Sequence, residues 1–113
     1  MGIIPLDKTL APYKFEIYLS NKIYTLQIDY NVTFDFYTID LNYNDELLVK
    51  GEKLVLNQPL FLEACQDADL NLNPNFPAEV LFMGTQDSSI KRISYDNLGT
   101  TVQLYYVERS ELQ

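Results

Sequence analysis

From Tyr13 to Tyr30, apolar or aromatic residues take every second position on both sides of a short polar break. No other feature limits the fold as strongly. A period of two marks strands with one buried face. Read as strands over Tyr13 to Ser20 and Ile23 to Tyr30, the stretch has Asn21-Lys22 as a two-residue turn. That turn fixes a register. Leu19 faces Tyr24, Ile17 faces Leu26, Phe15 faces Ile28 and Tyr13 faces Tyr30, all apolar or aromatic. On the other face Lys14 meets Asp29, Glu16 meets Gln27 and Tyr18 meets Thr25. One register sorts both faces, as a hairpin with one side on a core requires. Asn21 tolerates the positive φ of such a turn. The stretch carries no chemistry and reads as scaffold.

Around this hairpin the rest of the chain also favours strands. It has 113 residues, enough for one compact core and few for two, so residues 1–113 are expected to form a single β domain. Nine Tyr and six Phe against no Trp, within 47% hydrophobic residues, exclude a disordered chain. No long stretch has a helical period.

The short segment Gly2 to Leu6 is interrupted by Pro5, which suits a sheet edge or a strand end. Asp7 to Pro12 reads as a loop. Asn31-Val32 makes the turn into a third strand, Thr33 to Asn42. Within that strand Phe34 and Phe36 share one face, and Tyr37, Ile39 and Leu41 share the other. Such a change of parity suggests a bulge, a strand passing between two sheets, or a strand buried on both faces, with the bulge favoured. After the turn cluster Asn42 to Asp45, a three-residue loop pairs Leu41 with Leu47 and Ile39 with Val49. A two-residue loop at Asn44-Asp45 pairs Leu41 with Leu48 instead. Gly51 breaks the strand and Lys53 to Leu56 forms another. Asn57-Gln58-Pro59 looks like a helix entry, with a short helix over Leu60 to Cys65. Glu79 to Met83 and Thr101 to Glu108 are strands, with polar loops at Gln66 to Pro77 and Gly84 to Arg92. The expected fold is all-β: a small antiparallel barrel or sandwich of about seven or eight short strands with one short helix.

Charge and composition narrow the function. The net charge is −8, from 16 acidic and 8 basic residues, and the only adjacent basic pair is Lys91-Arg92. A nucleic-acid partner is therefore not expected; a solvated surface or a basic protein partner is. No run is long and apolar enough to span a membrane, and the N-terminus shows no secretory pattern, so synthesis in a cytoplasm and no membrane partner are expected. With one cysteine, Cys65, the chain has no internal disulfide; with no His, it has no Ser/His or Cys/His nucleophile pair and no His-ligated metal. The carboxylates Glu16, Asp29, Asp40, Asp45, Glu46 and Glu52 fall at turns or on the polar side of strands, an ordinary solvated distribution. Asp67-x-Asp69-x-Asn71 starts like a calcium loop. Its sixth position is Leu72 rather than Gly, and its twelfth is Ala78 rather than Glu. No glycine-rich phosphate cradle occurs. No catalysis, cofactor or metal is expected. The tyrosine surplus leaves protein contact, or a carbohydrate-binding groove, as the remaining uses.

Tyr95-Asp96-Asn97-Leu98-Gly99-Thr100 precedes the last strand, which runs through Leu104-Tyr105-Tyr106. Asp96-Asn97 is a turn, and Gly99 permits a positive-φ turn before the strand. This pattern resembles the signature of the baseplate plug family of contractile phage tails: a Tyr, an acidic residue and Leu-Gly before a closing strand ending in Leu-x-Tyr. Ile4-Pro5-Leu6, the hairpin from Phe15 to Leu26, and the segment Leu54 to Leu60 resemble further parts of the family in the same order. The chain departs from the pattern in having Asn57-Gln58-Pro59 where a Gly is expected, and a longer loop at 66–77. The resemblance implies a non-enzymatic virion protein at the tail baseplate. Its partners would be hub, tail tube end and wedge proteins, with multiple copies per baseplate. Tyr95, Asp96, Asn97, Leu98 and Gly99 would form either a protein contact or a cap on the core. The alternative is a small carbohydrate- or host-surface-binding module of a tail. The two polar loops, Gln66 to Pro77 and Gly84 to Asn97, are expected to order on neighbouring proteins.

Overall fold

The computed structural model describes residues 2–19, 21–61 and 75–108. The hairpin is present as β2 (Tyr13–Leu19) and β3 (Lys22–Asn31). The core-facing set is the expected one, with Tyr24, Leu26 and Ile28 buried. The partners differ. Leu19 pairs with Lys22, Ile17 with Tyr24, Phe15 with Leu26 and Tyr13 with Ile28. The reversal thus sits one residue earlier than expected, with Asn21 left-handed at φ 62°. Moving a turn by one residue shifts the pairing by two. Parity survives, so each side chain keeps its face while every partner changes.

Next come β4 (Phe36–Tyr43) and β5 (Glu46–Lys53), completing a sheet in the order β2-β3-β4-β5. The parity change marks the end of a turn rather than a bulge inside the strand. β4 begins only at Phe36, and the preceding turn leaves Val32 and Phe34 exposed. The bulges lie on β5. A two-residue loop, Asn44-Asp45, with both residues left-handed, pairs Tyr43 with Glu46 and Asn42 with Leu47. Register then shifts, so Leu41 pairs with Val49 and Ile39 with Glu52. Gly51, at φ 69°, sits in the second irregularity and does not end the strand. The bulged backbone closes over Asp40, which points away from the core yet is 4% exposed. Its carboxylate accepts the Gly51 N–H at 2.7 Å and the Lys50 ammonium at 3.4 Å.

A second sheet, ordered β1-β7-β6, combines β1 (Gly2–Ile4), β6 (Val80–Thr85) and β7 (Val102–Val107). β1 ends before Pro5 and forms an edge, as the missing N–H of proline requires. The stretch read as a loop before β2 contains a 3-10 turn, Lys8–Leu10, capped by the Asp7 side chain, which accepts the Thr9 N–H.

Lys53 to Leu56 is not a separate strand, and Asn57 to Phe61 is not helical. Leu54 N–H donates to the Tyr37 carbonyl on β4, and Asn57 and Leu60 N–H donate to Met83 and Leu81 on β6. This segment therefore stitches the two sheets along one side. Asn57 and Phe61 are both left-handed there. One hydrophobic cluster takes Leu26, Ile28, Ile39 and Leu41 from the first sheet and Leu81, Met83 and Leu104 from the second. The fold is all-β, with two antiparallel sheets of four and three strands.

The loop from Gly84 to Asn97 makes hydrogen bonds within the chain. Thr85 Oγ1 donates to the Thr101 carbonyl, Asp87 accepts the Ser89 N–H, and Ile90 N–H donates to the Asp87 carbonyl. Cys65 with most of the expected helix, the Asp67-x-Asp69-x-Asn71 spacing, and most of the 66–77 loop lie outside the described residues.

Candidate functional site

The segment Tyr95 to Gly99 is shaped by its own side chains. Asn97 Oδ1 accepts the Ser94 N–H at 2.8 Å, and its Nδ2 donates to the Arg92 carbonyl at 2.8 Å. The Leu98 N–H donates to the Ser94 carbonyl, and the Val102 N–H to the Asn97 carbonyl. Such local bonding is why Asn favours turns. With the backbone so fixed, Leu98 is driven into the core at 1% exposure. Gly99 takes φ +80° against the Leu6 carbonyl, which lies 2.5 Å from where a Cβ would sit.

The other half of the segment faces out. Tyr95 is 41% exposed, with the Lys8 ammonium 4.9 Å above its ring. Asp96 is exposed, and its carbonyl accepts from Lys8 Nζ at 3.1 Å. The five residues thus divide by role. Leu98 and Gly99 pack inward, Asn97 holds the turn, and Tyr95 and Asp96 meet solvent.

The structure also brings in residues that the sequence does not single out. Asp35, left-handed at φ 53° in the turn before β4, accepts the Tyr95 N–H at 2.9 Å and the Tyr30 hydroxyl at 2.8 Å through one oxygen. Its other oxygen takes the Arg92 guanidinium at 3.2 Å, and Arg92 also donates to the Asp35 carbonyl. The Tyr95 N–H first, then the Tyr30 hydroxyl, hold the Asp35 carboxyl below its ordinary range; burial opposes them, and Arg92 adds a smaller lowering. The same bond, with some burial, pushes the Tyr30 hydroxyl up. Tyr30 stacks obliquely between Tyr37 and Tyr95, at 4.7 and 5.7 Å. One carboxylate therefore ties the β3–β4 turn of the first sheet to the loop that feeds β7 in the second. The parity break between Phe36 and Tyr37 is the sequence signal for this turn, and Lys91-Arg92 stands out in the sequence only as a basic pair.

Asp35 is saturated with donors, so it is poorly suited to act as a base. Among the described residues no three metal-ligating side chains cluster. Of the tyrosines among the described residues, only Tyr18 and Tyr95 are well exposed, and they do not form an aromatic floor for a sugar.

A family model described as Cyanophage baseplate Pam3 plug gp18 matches residues 1–110. No curated protein matches the chain.

Proposed function

The chain belongs to the cyanophage baseplate plug family, whose members are structural components of the phage tail, and from that premise we propose how it is held there. It is a non-enzymatic baseplate protein that contacts the hub and the end of the tail tube, in several copies. The observation that carries this reading is the extent of the match, which takes in all seven described strands and the segment from Tyr95 to Gly99. Tyr95 and Asp96 belong to the contact surface, while Leu98 and Gly99 cap the core behind it. The fixed backbone around them supports this division, because a rigid surface loses little entropy on binding. The acidic balance of the chain favours basic neighbours over most of its surface.

Co-expression with the hub and tube-end proteins of the same phage tests the proposal. A stoichiometric complex is expected, burying on the order of 800 Å² per partner. Tyr95→Ala with Asp96→Ala should weaken that complex, whereas Asp96→Ala alone should leave the melting temperature nearly unchanged and Tyr95→Phe should keep the ring contact with Tyr30. Failure to associate with any baseplate protein would contradict the contact.

A further inference from the structure

The turn before β4 combines two properties. Its side chains are exposed and apolar, with Val32 at 79% and Phe34 at 72%. Its backbone is nonetheless firmly fixed. Asn31 Oδ1 accepts the Phe34 N–H at 3.0 Å, and Asp35 is bonded by Tyr30, Arg92 and Tyr95. Scattered exposed hydrophobes need no explanation. Two of them on a turn braced from both sides form an ordered apolar projection.

Beside Phe34 opens a recess of about 460 Å³, lined by Phe36, Leu54, Val55 and Ile93. Its lining is also cationic. Lys53, Lys91 and Arg92 line it, three of the chain's eight basic residues on a molecule of net charge −8. Arg92 is paired with Asp35. Lys53 lies over the Phe36 ring at 5.0 Å, and Lys91 donates to the Ser88 carbonyl at 2.9 Å. Neither lysine has a carboxylate partner among the described residues. An aromatic-lined recess with two ammonium groups that no described carboxylate pairs complements a segment that is apolar at its centre and acidic at its flanks.

We propose that this recess and the Val32–Phe34 turn form a docking surface for an acidic segment of a partner protein. The segment buries an apolar side chain against Phe34, Phe36 and Val55, and sets carboxylates on Lys53 and Lys91. The recess carries Lys53 and Lys91 on a chain of net charge −8, so it selects a different class of neighbour from the basic one that the overall charge favours. The shape and charge of this patch carry the proposal by themselves, whatever becomes of the baseplate contacts.

Panning a random twelve-residue display library on the purified protein tests it. The selected sequences should share one or two large apolar residues flanked by Asp or Glu. A labelled peptide of that consensus should bind at least tenfold more weakly to Lys53→Glu with Lys91→Glu and to Phe34→Ala. It should bind unchanged to Lys14→Glu with Lys22→Glu, which makes the same charge change on the first hairpin. Raising salt from 50 to about 500 mM should weaken it. Unchanged melting of the Lys53/Lys91 variant separates lost binding from lost folding, and amide shifts in the wild-type protein should map to 32–36, 53–56 and 91–93. The proposal is overturned by a library yielding no consensus, by a neutral or basic consensus, by equal loss in both charge-reversed variants, or by shifts elsewhere. It is also overturned if Phe34→Ala abolishes a self-association of the chain and no peptide competes for the site.

Discussion

Asp35 sits where the two sheets are tied together, and its titration is a direct probe of that tie. A carboxylate whose folded-state pKa is depressed stabilises the fold above its unfolded value, and that contribution is lost as the pH falls through the folded value. The window therefore opens near the ordinary value of 3.8 and extends downward. Denaturant midpoints followed from about pH 5 to about pH 2.5 should fall less in Asp35→Asn than in the wild type, because the variant has no charge to lose. Asp7 and Asp87 are depressed too and remain in both proteins, so only the difference between the curves reports on Asp35. Parallel curves would show that the tie is energetically idle. Core residues set a different scale. Leu26 is fully buried, whereas Ile17 on the edge strand is only half-buried and Lys14 is exposed. Leu26→Ala should cost about 2–5 kcal/mol, Ile17→Ala less, and Lys14→Ala under about 0.5 kcal/mol. Equal costs at Leu26 and Lys14 would reverse the assignment of faces.

At the scale of elements, two glycines separate conformation from space. Gly51 has φ +69° and open space within 4 Å of where a Cβ would sit, while Gly99 has φ +80° and the Leu6 carbonyl in the way. Gly51→Ala should cost about 1–2 kcal/mol, the penalty for a left-handed residue with a side chain. Gly99→Ala should cost more, since the chain beyond β1 must also move away. Thermal melts of the two variants would expose an error if their order were reversed. The same contrast explains what the sequence could reveal. Alternation in β2 and β3 is a local property, so those strands and their inward faces were legible. Register was less so, because Asn21 could occupy either position of the two-residue turn, and both choices keep parity. At Gly51 in β5 the sequence pointed the wrong way, since a glycine that breaks a strand and one that accommodates a bulge look alike until the partner strand is known. The segment from Leu54 to Phe61 resembled a strand and a helix entry. Its pairing with Tyr37, Leu81 and Met83 is set by tertiary contacts that no local pattern encodes. In the candidate site, Tyr95 to Gly99 stood out by residue type and spacing. Asp35 did not, because its partners Arg92 and Tyr95 are 57 and 60 positions away.

For the molecule as a whole, one cluster joining both sheets implies cooperative unfolding. Tyrosine fluorescence and far-ultraviolet circular dichroism should give coincident single transitions. Two separated transitions would divide the chain into independently folding parts. Millimolar calcium should leave the melting temperature unchanged, because the sequence from Asp67 lacks the glycine and the bidentate glutamate of a calcium loop. A saturable increase lost in Asp67→Ala with Asp69→Ala would contradict that. The structural role in the tail rests finally on what the particle loses without this protein. Electron microscopy of particles from a phage lacking the gene should show tails with defective or missing baseplates, restored by supplying the gene in trans. Complete baseplates on particles that fail only to adsorb to host cells would contradict the structural role and support a surface-binding one.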